Sequence, residues 1–178
     1  MEYVKYGLLV ALAIALVFAA ISDIRHRRIE NWVNAAIALS APVFWWASGL
    51  ALWPDMAMQF GFALLICVPL VTLWGIGQSL GIVVLGGGDV KFLGALALWL
   101  TPLAFLDLLL VMAFVGGAIA VGFIVRRVVW KPKTPGTVPY GVAIAAGALW
   151  VLGWTHLPEA APAAGLQRTR YKPVRPNA

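Results

Sequence analysis

The chain has 178 residues, of which 62% are hydrophobic and 11% charged; soluble domains carry roughly a quarter charged residues, so a water-soluble globule is excluded and a polytopic membrane protein is expected. The net charge of +6 comes from basic residues gathered in short loops between apolar runs, where they set topology, and no basic stripe interleaved with aromatics marks a nucleic-acid partner. The lone Cys67 excludes an internal disulfide or a cysteine zinc site and lies in an apolar run, as a small hydrophobe does.

The first apolar run, about Val4 to Ile21, is close to the roughly 20 residues that cross a bilayer. A signal peptide is the competing reading, but Ala19-Ala20-Ile21-Ser22 is a poor cleavage site and the apolar core is too long, so a retained span is expected. The loop Ser22 to Asn31 follows, with Asp23, Arg25, His26, Arg27, Arg28 and Glu30. Three arginines in so short a loop predict the cytoplasmic side. A second span, about Trp32 to Trp53, closes at the turn Trp53-Pro54-Asp55, and a third runs from about Met56 to Gly77. The glycine-punctuated stretch Gly75 to Gly88 then returns the chain to the side it left. Two crossings separate Asp23 from Asp89, so both aspartates belong at the cytoplasmic ends of their spans.

From Val90 to about Leu100 the chain is apolar for too few residues to cross easily, and Thr101-Pro102 interrupts it. This predicts a short fourth span entering at Asp89. A fifth, about Leu103 to Val125, precedes Arg126, Arg127, Lys131 and Lys133, and a sixth covers about Val138 to Trp154. The expected fold is an all-α polytopic membrane protein with six transmembrane helices, the fourth short, forming one domain over residues 1–157. The Pro- and Ala-rich segment 158–178 is predicted to be a disordered tail, on the outer side despite its basic residues.

An ionisable residue at membrane depth needs a reason. Glu2, Asp55, Asp107 and Glu159 fall near span ends, where headgroups and water suffice. Asp23 and Asp89 are placed to face each other. Two adjoining carboxylates keep one proton between them, so that one can take a proton from water while the other hydrogen-bonds a carbonyl oxygen. That is the state peptide hydrolysis requires. On spacing alone two other readings stand beside it: Asp23 as a partner of Arg25 or Arg27 with Asp89 as the N-cap of the fourth helix, or both as the cation or proton site of a small transporter. The run Gly86-Gly87-Gly88 before Asp89 opens φ values closed to other residues and removes bulk, so that an extended substrate can approach. Lys91 either eases the charge cost of the pair or contacts lipid phosphate. No set of metal ligands is visible and no cofactor is expected, since His26 is a loop residue and His156 lies near the other face.

Here the motifs carry a resemblance. GGGDVKF, Gly86 to Phe92, resembles the GxGD motif of intramembrane aspartyl proteases, and in particular of the type IV prepilin peptidase family. The stretch SDIRHRRIENWVN, Ser22 to Asn34, is similar to that family's first aspartate motif, although Glu30 stands where the family has proline before Asn31. Pro139-Tyr140-Gly141 resembles its late PYG motif. The cysteine-bearing insertion of the longer, bifunctional members is missing, so the chain looks like the short branch that serves Flp or tight-adherence pili, and N-methylation is not expected of it. The resemblance implies an aspartyl endopeptidase of the bacterial inner membrane, with catalytic Asp23 and Asp89 facing the cytoplasm and site-supporting Gly86, Gly87, Gly88, Lys91, Glu30, Asn31, Pro139, Tyr140 and Gly141. It would cleave the short basic leader of a Flp-type prepilin or pseudopilin. Glu30 is the natural partner for that leader, while the loop arginines set topology and meet anionic lipid.

Overall fold

Long runs of Ala, Leu, Val and Ile have no internal polar punctuation and favour backbone hydrogen bonding within the segment, the only open-ended solution in lipid. In the computed structural model, which describes residues 1–82, 86–130 and 139–160, they form six helices and no strand among those residues. These are α1 (Glu2–His26), α2 (Asn31–Ala47), α3 (Ala57–Leu80), α4 (Gly87–Ala97), α5 (Pro102–Trp130) and α6 (Tyr140–Ala160), with a π-helical turn at Leu52–Met56 leading into α3. The stretches Glu2–His26, Leu52–Leu80 and Pro102–Val129 are each long and apolar enough to cross a membrane. Their outer faces carry large apolar side chains with nothing packed on them, among them Phe114 at 78% exposure and Leu103 at 76%. Such a surface is matched by lipid rather than water. The protein is an all-α polytopic membrane protein.

At 11 residues α4 is only about 16 Å long, roughly half the hydrocarbon thickness. Its place explains its length. It packs against α2, α3, α5 and α6, and its side chains from Phe92 to Ala97 are buried, Phe92 and Leu96 completely. Around it, α1 packs against α2 and α6, and α5 against α6. Cys67 lies against this central helix, since a Cβ on Gly94 would come within 2.7 Å of its Sγ.

Several boundaries differ from the sequence-based ones. The first helix does not stop at Ile21 but runs on to His26, so Asp23 sits in its last turn and not in a loop. Arg25 and His26 favour that extension, since cations complement the partial negative charge at a helix C-terminus. Arg27 ends α1 in the left-handed region at φ 55, with its N–H bonded to Asp23 O at 3.0 Å. The fifth helix likewise continues through Arg126 and Arg127, and α6 reaches Ala160. Lys131 and Lys133, and the expected disordered tail beyond residue 160, lie outside the described residues.

Candidate active site

Asp23, in the last turn of α1, is buried at 7% exposure. The backbone N–H groups of Gly141 and Val142, at the start of α6, face its carboxyl group, and the Arg27 guanidinium contributes positive charge. The neighbouring Ser22 hydroxyl donates to Arg28 O at 3.0 Å, tying the turn after α1 back onto the helix. Ile29 is the one buried side chain of this charged turn, at 7% exposure. It wedges between the first turns of α4 and α6, within van der Waals reach of both Gly88 and Gly141.

Asp89 lies in the first turn of α4, and the alternative reading of it as the N-cap does not hold. The N-cap is Gly86, extended at φ −69 and ψ 135, which leaves Asp89 as the third helical residue with the Gly86 N–H bonded to its carboxyl group. This is the reciprocal half of a capping box, in which a third-position acid reaches back to the cap amide. Asp89 is also outside the three long apolar stretches. Burial, and next the charge of Asp23, push its carboxyl up to about 6, against the lowering effect of the Gly86 N–H.

The two carboxylates line one cavity of about 260 Å³, together with Arg27, Arg28, Ile29, Asn31, Gly86, Gly87, Gly88 and Tyr140. The cavity gathers the C-terminal end of α1 and the N-terminal ends of α2, α4 and α6. A second cavity gathers the opposite ends, from Lys5 of α1 to Ser48 just beyond α2, Gln59 of α3, Leu100 beyond α4 and His156 of α6. Successive helices therefore alternate in direction, and Asp23 and Asp89 share an end.

The glycines act differently from the sequence-based expectation. None of Gly86, Gly87 and Gly88 has positive φ; among the described residues only Gly49, Gly81 and Arg27 do. Gly86 is required by close approach, since a Cβ there would lie 2.7 Å from Asp89 Oδ2. Gly141 serves Asp23 in the same way, with a Cβ 2.9 Å from both its Cγ and Oδ2. Each aspartate is thus seated on the bare Cα of a glycine from another part of the chain or of its own turn. A Cβ on Gly87 would lie 3.2 Å from Trp74 Nε1, so this glycine leaves room for the indole, a contact that no local pattern announced.

With this geometry in place, the chain matches the type IV leader peptidase family over residues 10–121, more than half its length. It belongs to that family. The matched region contains both aspartates and the glycine run; Tyr140 and Gly141 lie beyond it. No curated protein and no solved structure gives a significant match. As a type IV leader peptidase-like protease it departs from the family's usual sequence at Glu30, yet the backbone there does not. Glu30 adopts φ −63 and ψ 135 as the N-cap of α2, and proline is locked near −65°. The turn is therefore the one a proline would make. Lys91 neither meets the pair nor stands apart: its Nζ donates to Asn31 Oδ1 at 3.0 Å, bridging α4 to α2 beside the cavity. Glu30 and Pro139 are not among the residues lining the cavity, whereas Arg27 and Arg28, assigned from sequence to topology and lipid, are. Ile29 was legible only as an apolar residue stranded among charges.

Proposed function

We propose that this leader peptidase cleaves the short basic leader from Flp-type prepilins, at the cytoplasmic face of the bacterial inner membrane, with Asp23 and Asp89 as its catalytic pair. The observation that carries the reading is that two aspartates from separate helices, α1 and α4, line one cavity at one end of the bundle. That end also bears Arg25, Arg27, Arg28, Lys91, Arg126 and Arg127, and an excess of Lys and Arg in short loops marks the cytoplasmic side and suits anionic lipid. A scissile bond must leave helical pairing before it can be attacked, which is tolerable only where water reaches, and the cavity opens beside the exposed Tyr140, Asn31 and Arg28.

In the proposed reaction the pair holds one proton. Asp89, raised to about 6 by burial and by the Asp23 charge, is the acid. Asp23 takes a proton from water as the water oxygen bonds to the scissile carbonyl carbon, and Asp89 donates to the carbonyl oxygen as it gains charge. The tetrahedral intermediate then breaks its C–N bond, the proton held by Asp23 passes to the leaving amine, and the new carboxyl returns a proton to the pair. Gly86 and Gly141 hold the two carboxyls in place, Gly87 and Gly88 leave room for an extended backbone, and Asn31 with Lys91 braces α2 against α4. Pro139 and Tyr140 set the entry of α6, and Glu30 attracts the basic leader from just outside the cavity. Residues 1–157 act as a single catalytic domain.

The test is co-expression with candidate Flp-type prepilins from the same genome, read by mass spectrometry of the shortened pilin. Asp23→Asn and Asp89→Asn should each abolish processing, by at least about 10³-fold if both groups act as one unit, while the protein still inserts. Normal processing by either variant would refute the pair.

A further inference from the structure

We infer that Gln59 and Trp45, at the end of the bundle away from the cavity, are positioning residues that fix how far α4 reaches along its axis and hence where Asp89 stands. The inference rests on the reading that Asp89 acts in catalysis.

The last carbonyls of any α-helix lack partners within it, and α4 ends inside the bundle, where Trp99 and Leu100 are buried and orphan acceptors are costly. The backbone repairs part of this: Ala95 O accepts Leu98 N–H at 3.3 Å, and Leu96 O accepts both Trp99 and Leu100 N–H, at 2.9 and 3.1 Å. Side chains from two other helices complete it. The Gln59 amide, from the first turn of α3, donates to Ala97 O at 2.9 Å and to Leu100 O at 2.7 Å, with Leu98 O at 3.4 Å beside them. The Trp45 indole N–H, near the end of α2, donates to Leu98 O at 2.8 Å. The Gln59 amide and the Trp45 indole therefore fasten the end of the helix that carries Asp89 at its start, beside the Trp99 indole N–H, which donates outward to Ile37 O of α2 at 2.8 Å.

Why this should matter for the cavity follows from the sides of α4. Phe92, Leu93, Ala95, Leu96 and Ala97 are buried apolar groups, whose attraction to their surroundings is non-directional. Such contacts hold the helix in the bundle but discriminate weakly between neighbouring axial positions. Hydrogen bonds to particular carbonyls do discriminate, and a slip of one residue is about 1.5 Å. No break in α4 separates Ala97 from Asp89, so a shift at one end is delivered to the other. A displacement of about 1 Å at a reacting group is enough to cost on the order of 10²-fold in rate.

The experiment uses full-length protein in detergent and a purified prepilin substrate. Gln59→Met keeps the length of the side chain and removes both donors; Trp45→Phe keeps an aromatic ring and removes one. Gln59→Met should lower kcat per folded molecule about 10- to 100-fold with KM within about twofold, and should move the alkaline limb of the rate against pH, because the surroundings of Asp89 change. Trp45→Phe should do the same to a smaller degree, about 3- to 10-fold. Wild-type kcat and pH profile in the folded fraction of either variant would overturn the inference, as would a loss that vanishes once activity is divided by folded protein. Asp23→Asn and Asp89→Asn run in the same assay separate this from the proposed function: if they remain active, the catalytic reading itself has failed, whatever Gln59 does.

Discussion

Replacing Gly141 by alanine adds one methyl group directly against Asp23 and Ile29, two residues that line the cavity. Built on the observed backbone, that Cβ lies 2.9 Å from Asp23 Cγ, 2.9 Å from its Oδ2 and 3.0 Å from Ile29 Cδ1. Ordinary contact begins near 3.4 Å, so the carboxyl must retreat by about 0.5 Å or the first turn of α6 must lift away. Two effects compete. Alanine within a helix is favoured over glycine by up to about 1 kcal/mol, whereas overpacking a filled site costs about 1–3 kcal/mol. The second wins here, because the obstructing atoms belong to buried Asp23 and Ile29 rather than to a free side-chain tip. The larger consequence is for rate. If a misplacement of about 1 Å costs on the order of 10²-fold, half of that should lower kcat/KM about 10-fold, and up to about 100-fold if the amides of Gly141 and Val142 move as well. The assay is cleavage of purified prepilin in detergent, with Asp23→Asn as the floor and thermal unfolding measured alongside. Gly88→Ala is the control for folding, since the nearest atoms to its Cβ, those of Ile29, are at ordinary contact distance, 3.7 Å for N and 3.8 Å for Cβ; its unfolding temperature should be no lower than wild type. A Gly141→Ala enzyme within twofold of wild-type kcat/KM would refute the argument that this glycine exists to seat Asp23.

Two further expectations concern pH and the turn before α2. With the Asp89 carboxyl at about 6, raising pH through that value removes the proton that the proposed acid donates, so kcat/KM of the free enzyme should fall by up to about 10-fold per unit on the alkaline side; a rate flat from pH 5 to 8 would count against Asp89 as acid. Glu30→Pro suits the observed φ of −63, so it should raise the unfolding temperature by an amount equivalent to about 0.4–1 kcal/mol. The same change should leave kcat alone and raise KM for a basic leader about 2- to 5-fold, the worth of one exposed charge contact; a lowered unfolding temperature would show that the turn is not proline-like.

The number of helices and the shared end of Asp23 and Asp89 were readable from apolar run lengths and the parity of crossings, because burial in lipid leaves a strong imprint on composition. Asp23 was misread as a loop residue since hydropathy reports where the apolar run ends, while the helix continues past that point until Arg27 turns it off. The alternative that made Asp89 an N-cap fails for a similar reason: its charge marked the start of α4, but the cap conformation falls three residues earlier, on Gly86. Beyond reach were contacts between residues remote in sequence. Gln59 and Leu100 are 41 residues apart, Trp45 and Leu98 are 53 apart, and Gly141 meets Asp23 across about two thirds of the chain. Periodicity tells which face of a helix is apolar, not which carbonyl on another helix its few polar groups will find.

The seating of Asp23 against α6 also bears on biogenesis. Helices emerge in chain order during synthesis, and α4 contacts both elements made before it, α2 and α3, and elements made after it, α5 and α6. Until α6 docks, Asp23 has neither the amides of Gly141 and Val142 nor the bare Cα of Gly141 against which it rests. A nascent chain that has delivered both aspartates to the membrane still lacks one wall of the cavity they share. The cavity is completed by α6, the last helix among the described residues, and a product truncated before it would carry both acids without their finished setting.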